Sequence, residues 1–191
     1  MIYAVMCSAG RTADMNIVLT GFMASGKTEI SKAIAAVSKY RLVDTDDMIV
    51  EREGRTINDI FADDGEAVFR RIEHETVLDA AKLDGCVIAT GGGVVLDASN
   101  IDALRENGII VNLAPDFSVI ESRLSGAMST RPLLRDGELE DIRRRFNDRL
   151  PFYDNCDMKI NVINGRTPRS YALEILDKCG SFRKKGGTAE T

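Results

Sequence analysis

One short stretch limits the fold of this chain more than any other. Gly21-Phe22-Met23-Ala24-Ser25-Gly26-Lys27-Thr28 fits the pattern G-x-x-x-x-G-K-[ST]. It follows a brief apolar run at 16–20 (NIVLT) and opens a segment at 28–39 where Ile30, Ile34 and Val37 recur at helical spacing. Small residues let backbone N–H groups curl around phosphate oxygens, and the helix N-terminus adds its positive dipole end. Lys27 can then reach the β- and γ-phosphates, and the Thr28 hydroxyl can ligate Mg²⁺. The competing reading is an ordinary glycine-containing turn. Both the full pattern and its strand-to-helix context are present, so the stretch reads as a nucleoside triphosphate site.

The rest of the chain continues the alternation. Strand-like runs stand at 41–43, 86–90, 109–113 and 159–163, and helix-like segments at 57–61, 66–83, 97–107, 116–125 and 168–179. Thr56 suits an N-cap, Gly108 stops a helix, and Pro168 stands at an acceptable early helical position. Strands alternating with helices imply a parallel sheet covered on both faces, an α/β fold of three layers, αβα. In such sheets ligands collect at the carboxyl ends of the strands, where the unusual loops of this sequence fall. The chain divides into an N-terminal extension at 1–15, one domain at 16–179 and a polar tail at 180–191 that is expected to be flexible.

Composition narrows the partners. The 25 Lys+Arg against 30 Asp+Glu leave a net charge of -5, unlike the basic surface that a general nucleic-acid binder needs. No run approaches the roughly 20 apolar residues that cross a bilayer. The cysteines Cys7, Cys86, Cys156 and Cys179 lie far apart with no CxxC pair, so reduced thiols in a cytoplasmic protein are the expectation.

Several loops offer candidates for a second substrate, each with a plainer alternative. In Asp44-Thr45-Asp46, two carboxylates two positions apart on extended chain point the same way, one for a metal and one for a hydroxyl; the alternative is a helix N-cap. Gly91-Gly92-Gly93 suggests something approaching the backbone closely, or only a tight turn. Arg70 and Glu73, three apart on a helix, can face each other to hold the arginine in place, or form a solvated pair. Arg149-Leu150-Pro151-Phe152-Tyr153 ends a helix near a proline. His74 lacks partners for catalysis or metal binding and reads as a partly exposed helix residue. Arg143-Arg144-Arg145 lies among Glu138, Glu140, Asp141 and Asp148, a mixed-charge helix face.

Taken in order, GFMASGKT, DTD at 44–46, GRTINDIFADDGEAVFRRIE at 54–73, GGG at 91–93, RPLL at 131–134 and RLPFY at 149–153 resemble shikimate kinase. The resemblance runs over residues 16–176. It implies a five-stranded parallel sheet of the P-loop, nucleoside-monophosphate-kinase type with a mobile lid at about 123–140. It also implies transfer of the γ-phosphoryl group of MgATP to the 3-hydroxyl of shikimate, within chorismate and aromatic amino acid biosynthesis, by a monomer. Carried onto this sequence, the resemblance puts Gly21, Ala24, Ser25, Gly26, Lys27 and Thr28 on ATP, Arg166 and Pro168 at its adenine, and Thr28 and Asp44 near Mg²⁺. Asp46 would contact the shikimate hydroxyls, Arg70 and Arg149 its carboxylate, Gly91, Gly92 and Gly93 its ring face, and Phe61 and Phe69 would pack against it. Lys27, Asp46 and Arg131 would be the catalytic set, with Arg131 reaching the phosphates from the lid and Glu73 orienting the arginines. Guanidinium groups suit a planar carboxylate, since they bind it bidentately where lysine cannot.

The fit has gaps. Ala24 stands where the family often has glycine, and its methyl matters if the backbone there needs a positive φ. Arg123 is a candidate for the adenine from the lid side. Another carboxylated acceptor such as gluconate, or a nucleotide-binding module without catalysis, is the alternative function. Between Lys82 and Lys159 the only basic residues are eight arginines, so an acidic chain carries local cationic chemistry suited to phosphate and carboxylate.

Overall fold

The computed structural model describes residues 15–128 and 138–186. Five parallel strands, β1 (Asn16–Thr20), β2 (Arg41–Asp44), β3 (Cys86–Ala89), β4 (Gly108–Pro115) and β5 (Met158–Val162), form one sheet in the order β2-β3-β1-β4-β5. The three central strands are buried along nearly their whole length, which is why they read as continuous apolar runs.

The period-2 alternation of the strands sorts their side chains to two faces. Ile17, Leu19, Val87, Ile109 and Val111 pack against α1 (Lys27–Val37) and α8 (Pro168–Gly186) through Ile30, Ile34, Tyr171, Ala172 and Ile175. Val18, Ile88 and Ile110 face the other way. They meet Val77 and Ala80 of α4 (Gly65–Ala81), Ile101 and Leu104 of α5 (Ala98–Glu106), Ile120 of α6 (Phe117–Met128) and Phe146 of α7 (Glu138–Tyr153). A smaller cluster of Ile49, Ile60, Phe69 and Ile72 joins α2 (Thr45–Glu53), α3 (Ile57–Asp63) and α4 beside the sheet.

Most of the expected elements occur within a few residues of their expected limits. Two differ in a way that matters. The helix α2 starts directly from the aspartates: Asp44 ends β2 and caps α2, its Oδ1 accepting from Asp46 N–H at 3.0 Å. Asp46 is therefore in a first helical turn and not on extended chain. The helix α8 continues to Gly186, past the expected limit at 179, so residues 180–186 of the expected flexible tail are helical. Of the N-terminal extension only Met15 is described, and it packs on the α1–α8 face of the core.

The turn from β1 into α1 is tight. Gly21 has φ 146°, and a Cβ there would sit 2.7 Å from the Leu113 carbonyl and 2.8 Å from Ser25 Oγ. Ala24 has φ 57°, the left-handed conformation that makes its methyl a source of strain. Ala24→Gly relieves that strain but frees the unfolded chain, so its stability is expected within about 1 kcal/mol of the parent. Ala24→Val puts a branched Cβ into the same conformation and is expected to lower stability by about 1–3 kcal/mol, measured by denaturant unfolding.

Candidate active site

The nucleotide side begins at the N-terminus of α1. Gly26, in the left-handed region, stands at the cap position and no side chain caps the helix, so its first N–H groups point outward for an anion. Lys27 Nζ donates to the carbonyls of Gly21 at 2.7 Å and Phe22 at 3.0 Å. Burial pulls Lys27 down to about 8, with Asp46 and Asp44 working in the opposite direction.

A cavity of about 440 Å³ opens here, lined by Ala24, Gly26, Lys27 and Thr28 on one side and by Arg123, Arg166, Pro168 and Tyr171 on the other. Arg166 and Pro168, the residues expected at the adenine, both line this cavity. Arg166 is already engaged: it pairs with Glu174 at 2.6 Å, donates to Ser170 Oγ at 3.1 Å and lies 4.3 Å over the Tyr171 ring. Arg123 joins the same cavity and donates from Nη1 to the Ala24 carbonyl at 2.8 Å, tying α6 to the phosphate loop. In the sequence Tyr171 is marked only by its place in the helix-like segment at 168–179. Its hydroxyl accepts from the Ile163 N–H and donates to the Ile163 carbonyl, closing the loop that carries Arg166.

Lys27 and Thr28 also border a second cavity of about 290 Å³. Into it come Asp44 and Asp46 from the β2–α2 junction, Phe69, Arg70 and Glu73 from α4, Gly91–Gly93 after β3, and Arg149 from α7. Four elements far apart in sequence meet because they all leave the carboxyl end of the sheet or pack over it. Phe61 is not among the residues that line this cavity; its ring centroid lies 4.4 Å from that of Phe69, which does. Met23 of the phosphate loop also lines it, with Ile57 and Thr90, which no sequence signal singled out as site residues.

The charges are set against one another. Arg70 Nη1 meets Glu73 Oε2 at 2.6 Å, and its Nη2 meets Glu66 Oε1 at 3.0 Å, so the guanidinium is held between two carboxylates. Glu73 is 3% exposed, far from the solvated pair of the plainer reading. Burial raises the Glu73 carboxyl, and the Arg70 hydrogen bond opposes it. Asp46 is also raised, first by burial and then by neighbouring Asp44, against the pull of Lys27. A carboxylate in that state accepts a hydrogen bond or proton more readily than an exposed one.

The three glycines serve both readings of their sequence. They make a turn, Val94 N–H bonding the Gly91 carbonyl at 3.3 Å. They also allow close approach. A Cβ on Gly91 would lie 2.7 Å from Asp46 Oδ1 and 3.1 Å from Glu73 Oε1, and one on Gly93 would overlap the Arg70 guanidinium. Gly91 N–H donates to Thr45 Oγ1 at 3.0 Å, and a Cβ on Gly92 would stand 3.7 Å from the Gly21 carbonyl and from Met23 N of the phosphate loop. Tyr153, legible in the sequence only as a helix end, donates to the Gly92 carbonyl at 2.7 Å.

Thr28 and Asp44 share the second cavity with Asp46 and offer hard oxygen donors. Among the described residues no group of three or more His, Cys, Asp or Glu could by itself hold a metal ion. That donor set fits Mg²⁺, which takes one or two protein oxygens and draws the rest from water and phosphate. His74 is outside both cavities, its Nδ1 2.7 Å from Asn100 Oδ1. Arg143 pairs with Glu121 and Glu140, and Arg144 with Asp141, the mixed-charge face expected of that run. Arg131 lies outside the described residues. Among the described residues no helix is long and apolar enough to cross a membrane.

A family model for shikimate kinase matches residues 23–180. A shikimate kinase of Caldicellulosiruptor bescii is 48% identical over 162 residues, which cover 84% of this chain and 93% of the relative. Among solved structures, shikimate kinase from Acinetobacter baumannii in complex with shikimate has a TM-score of 0.77 at 30% identity, covering 88% of this chain and 94% of that one. Shikimate kinase from Bacteroides thetaiotaomicron has a TM-score of 0.77 at 29% identity, covering 87% and 98%. With the two cavities, their charges and these likenesses in agreement, the chain belongs to the shikimate kinase family.

Proposed function

We infer that the protein transfers the γ-phosphoryl group of ATP to the 3-hydroxyl of shikimate, giving shikimate 3-phosphate and ADP. One observation carries the reading at the level of residues. A phosphate loop and a cavity with two arginines share Lys27 and Thr28, so donor phosphate and a carboxylated acceptor would meet there. The free amides at the start of α1 and the Lys27 ammonium hold the phosphates, with Arg166 and Pro168 beside the adenine. Arg131, which lies outside the described residues, is the further cation that the family resemblance assigns to the phosphates. Arg70 and Arg149 hold the acceptor's carboxylate, Arg70 with its plane set by Glu66 and Glu73.

Asp46 accepts a hydrogen bond from the acceptor hydroxyl and aims it at phosphorus; the Gly91–Gly93 turn and the Phe69 ring form the walls. Thr28 and Asp44 would hold Mg²⁺, which neutralises phosphate charge when bound. Positioning and charge neutralisation then carry most of the rate, since phosphoryl transfer needs little covalent help.

ADP release measured in a coupled assay should depend on shikimate and should not respond to gluconate. Folded, ATP-binding protein that shows no shikimate-dependent turnover would overturn the function. Arg70→Ala and Arg149→Ala should each raise the shikimate KM by about 10- to 100-fold and lower kcat, the cost of removing a charged hydrogen-bond partner. MgATP binding should survive in both. Loss of ATP affinity alone would show that these arginines do not hold the acceptor.

Nucleotide binding should also take up a proton in alkaline solution. Lys27 sits near 8 in the free protein, and phosphate beside it favours the charged form. Its value therefore rises on binding, and MgATP affinity falls as pH climbs above about 8. Calorimetry at about pH 8.5 in two buffers of different ionisation heat reads this uptake directly. Equal heats in both buffers would refute it.

A further inference from the structure

The carbonyl of Gly92 receives two donors from the last turns of α7: the Tyr153 hydroxyl at 2.7 Å and Arg149 Nη1 at 3.4 Å. They are unequal. The first is a good O–H···O bond, while the second is near the limit of what counts as one. They also stand on different sides. Arg149 lines the acceptor cavity, whereas Tyr153 faces a separate hollow of about 70 Å³ with Phe22, Phe146 and Lys159. The ring of Tyr153 is 4% exposed and packs into the core beside Phe146 and Ile142. Burial pushes its phenol up to about 12, so it stays protonated and a donor across the working range.

Gly92 is where the two substrate regions touch. A Cβ on Gly92 would already meet the phosphate loop at 3.7 Å, and one on its neighbour Gly93 would overlap the Arg70 guanidinium. The Gly92 carbonyl and the Gly93 N–H belong to one trans peptide plane and point in opposite directions. Holding the carbonyl toward α7 therefore fixes the N–H away from it. Among the described residues the Gly93 N–H has no protein acceptor.

We propose that Tyr153 is a positioning residue for the acceptor: its hydroxyl holds the Gly92 carbonyl so that Arg149 can leave that carbonyl for the acceptor's carboxylate without orphaning it. The proposal rests on the reading of Arg149 as one jaw of the carboxylate clamp. Its physical basis is an asymmetry. Making a hydrogen bond in a folded protein gains little, but leaving a part-buried carbonyl without one costs its desolvation. With Tyr153 in place, moving Arg149 gives up a long, weak contact. Without it, Arg149 becomes the sole donor to Gly92, and an internal acceptor competes with the substrate for the same guanidinium.

Tyr153→Phe keeps the packed ring and removes only the hydroxyl. It should raise the shikimate KM about five-fold while kcat and the MgATP Kd change less than about two-fold. The same substitution in an Arg149→Ala background should change kcat/KM for shikimate by less than about two-fold, because the guanidinium whose release it eases is gone. An unchanged shikimate KM in Tyr153→Phe, or an equal loss in both backgrounds, overturns the proposal; so does a parallel rise in the MgATP Kd, which would mark a general structural role. If Arg149→Ala alone leaves the shikimate KM unchanged, the clamp reading itself falls.

Discussion

A buried ammonium organises the two substrate cavities of this protein. Lys27 must be desolvated to stand under the phosphates, and an unpaired charge there would cost several kcal/mol. Two backbone carbonyls at 2.7 and 3.0 Å and the fields of Asp46 and Asp44 compensate it. Those partners come from separate elements. The carbonyls require the tight β1–α1 turn, where only glycine fits at position 21, and the aspartates require the junction of β2 and α2 to lie alongside it. The parallel sheet supplies both, since β3 pairs with β1 on one side and β2 on the other and brings their carboxyl ends level.

The second constraint is the turn after β3. Gly91, Gly92 and Gly93 are each approached by different partners: the Asp46 and Glu73 carboxylates, the phosphate loop, and the Arg70 guanidinium. The turn works as a spacer between donor and acceptor regions. A side chain at either outer position would displace a charged group of the site. The strength of the arrangement lies in backbone thin enough to be crowded by charged groups at Gly91 and Gly93, and α7 secures it through the Gly92 carbonyl.

Legibility varied with how local each signal was. The phosphate loop, the alternation of strands and helices, and the apolar stripes are written over short windows, and they appear as expected. The D-T-D stretch was ambiguous because both readings hold: Asp44 caps a helix and still faces the cavity. Phe61 was expected against the substrate; its ring packs on that of Phe69, which lines the cavity, a pairing that sequence spacing does not carry. Tyr153 was legible only as a helix end and Tyr171 only as part of a helix-like segment; their hydroxyl partners, Gly92 and Ile163, are set by how helices α7 and α8 lie on the sheet.

The sequence by itself determined the fold class, the phosphate site and the family, because these depend on residue types at fixed local spacings. It also showed that arginine alone supplies the positive charge between Lys82 and Lys159. Only the tertiary structure decided which of those arginines bear on the site. Arg149 reaches the acceptor cavity and Arg123 the phosphate loop, whereas Arg143 and Arg144 pair with surface acids. It also decided that Glu73 is buried and that Ala24 takes a positive φ. The physical reason is that desolvation and charge coupling depend on distance in space, and the parallel sheet brings together residues more than a hundred positions apart in the chain.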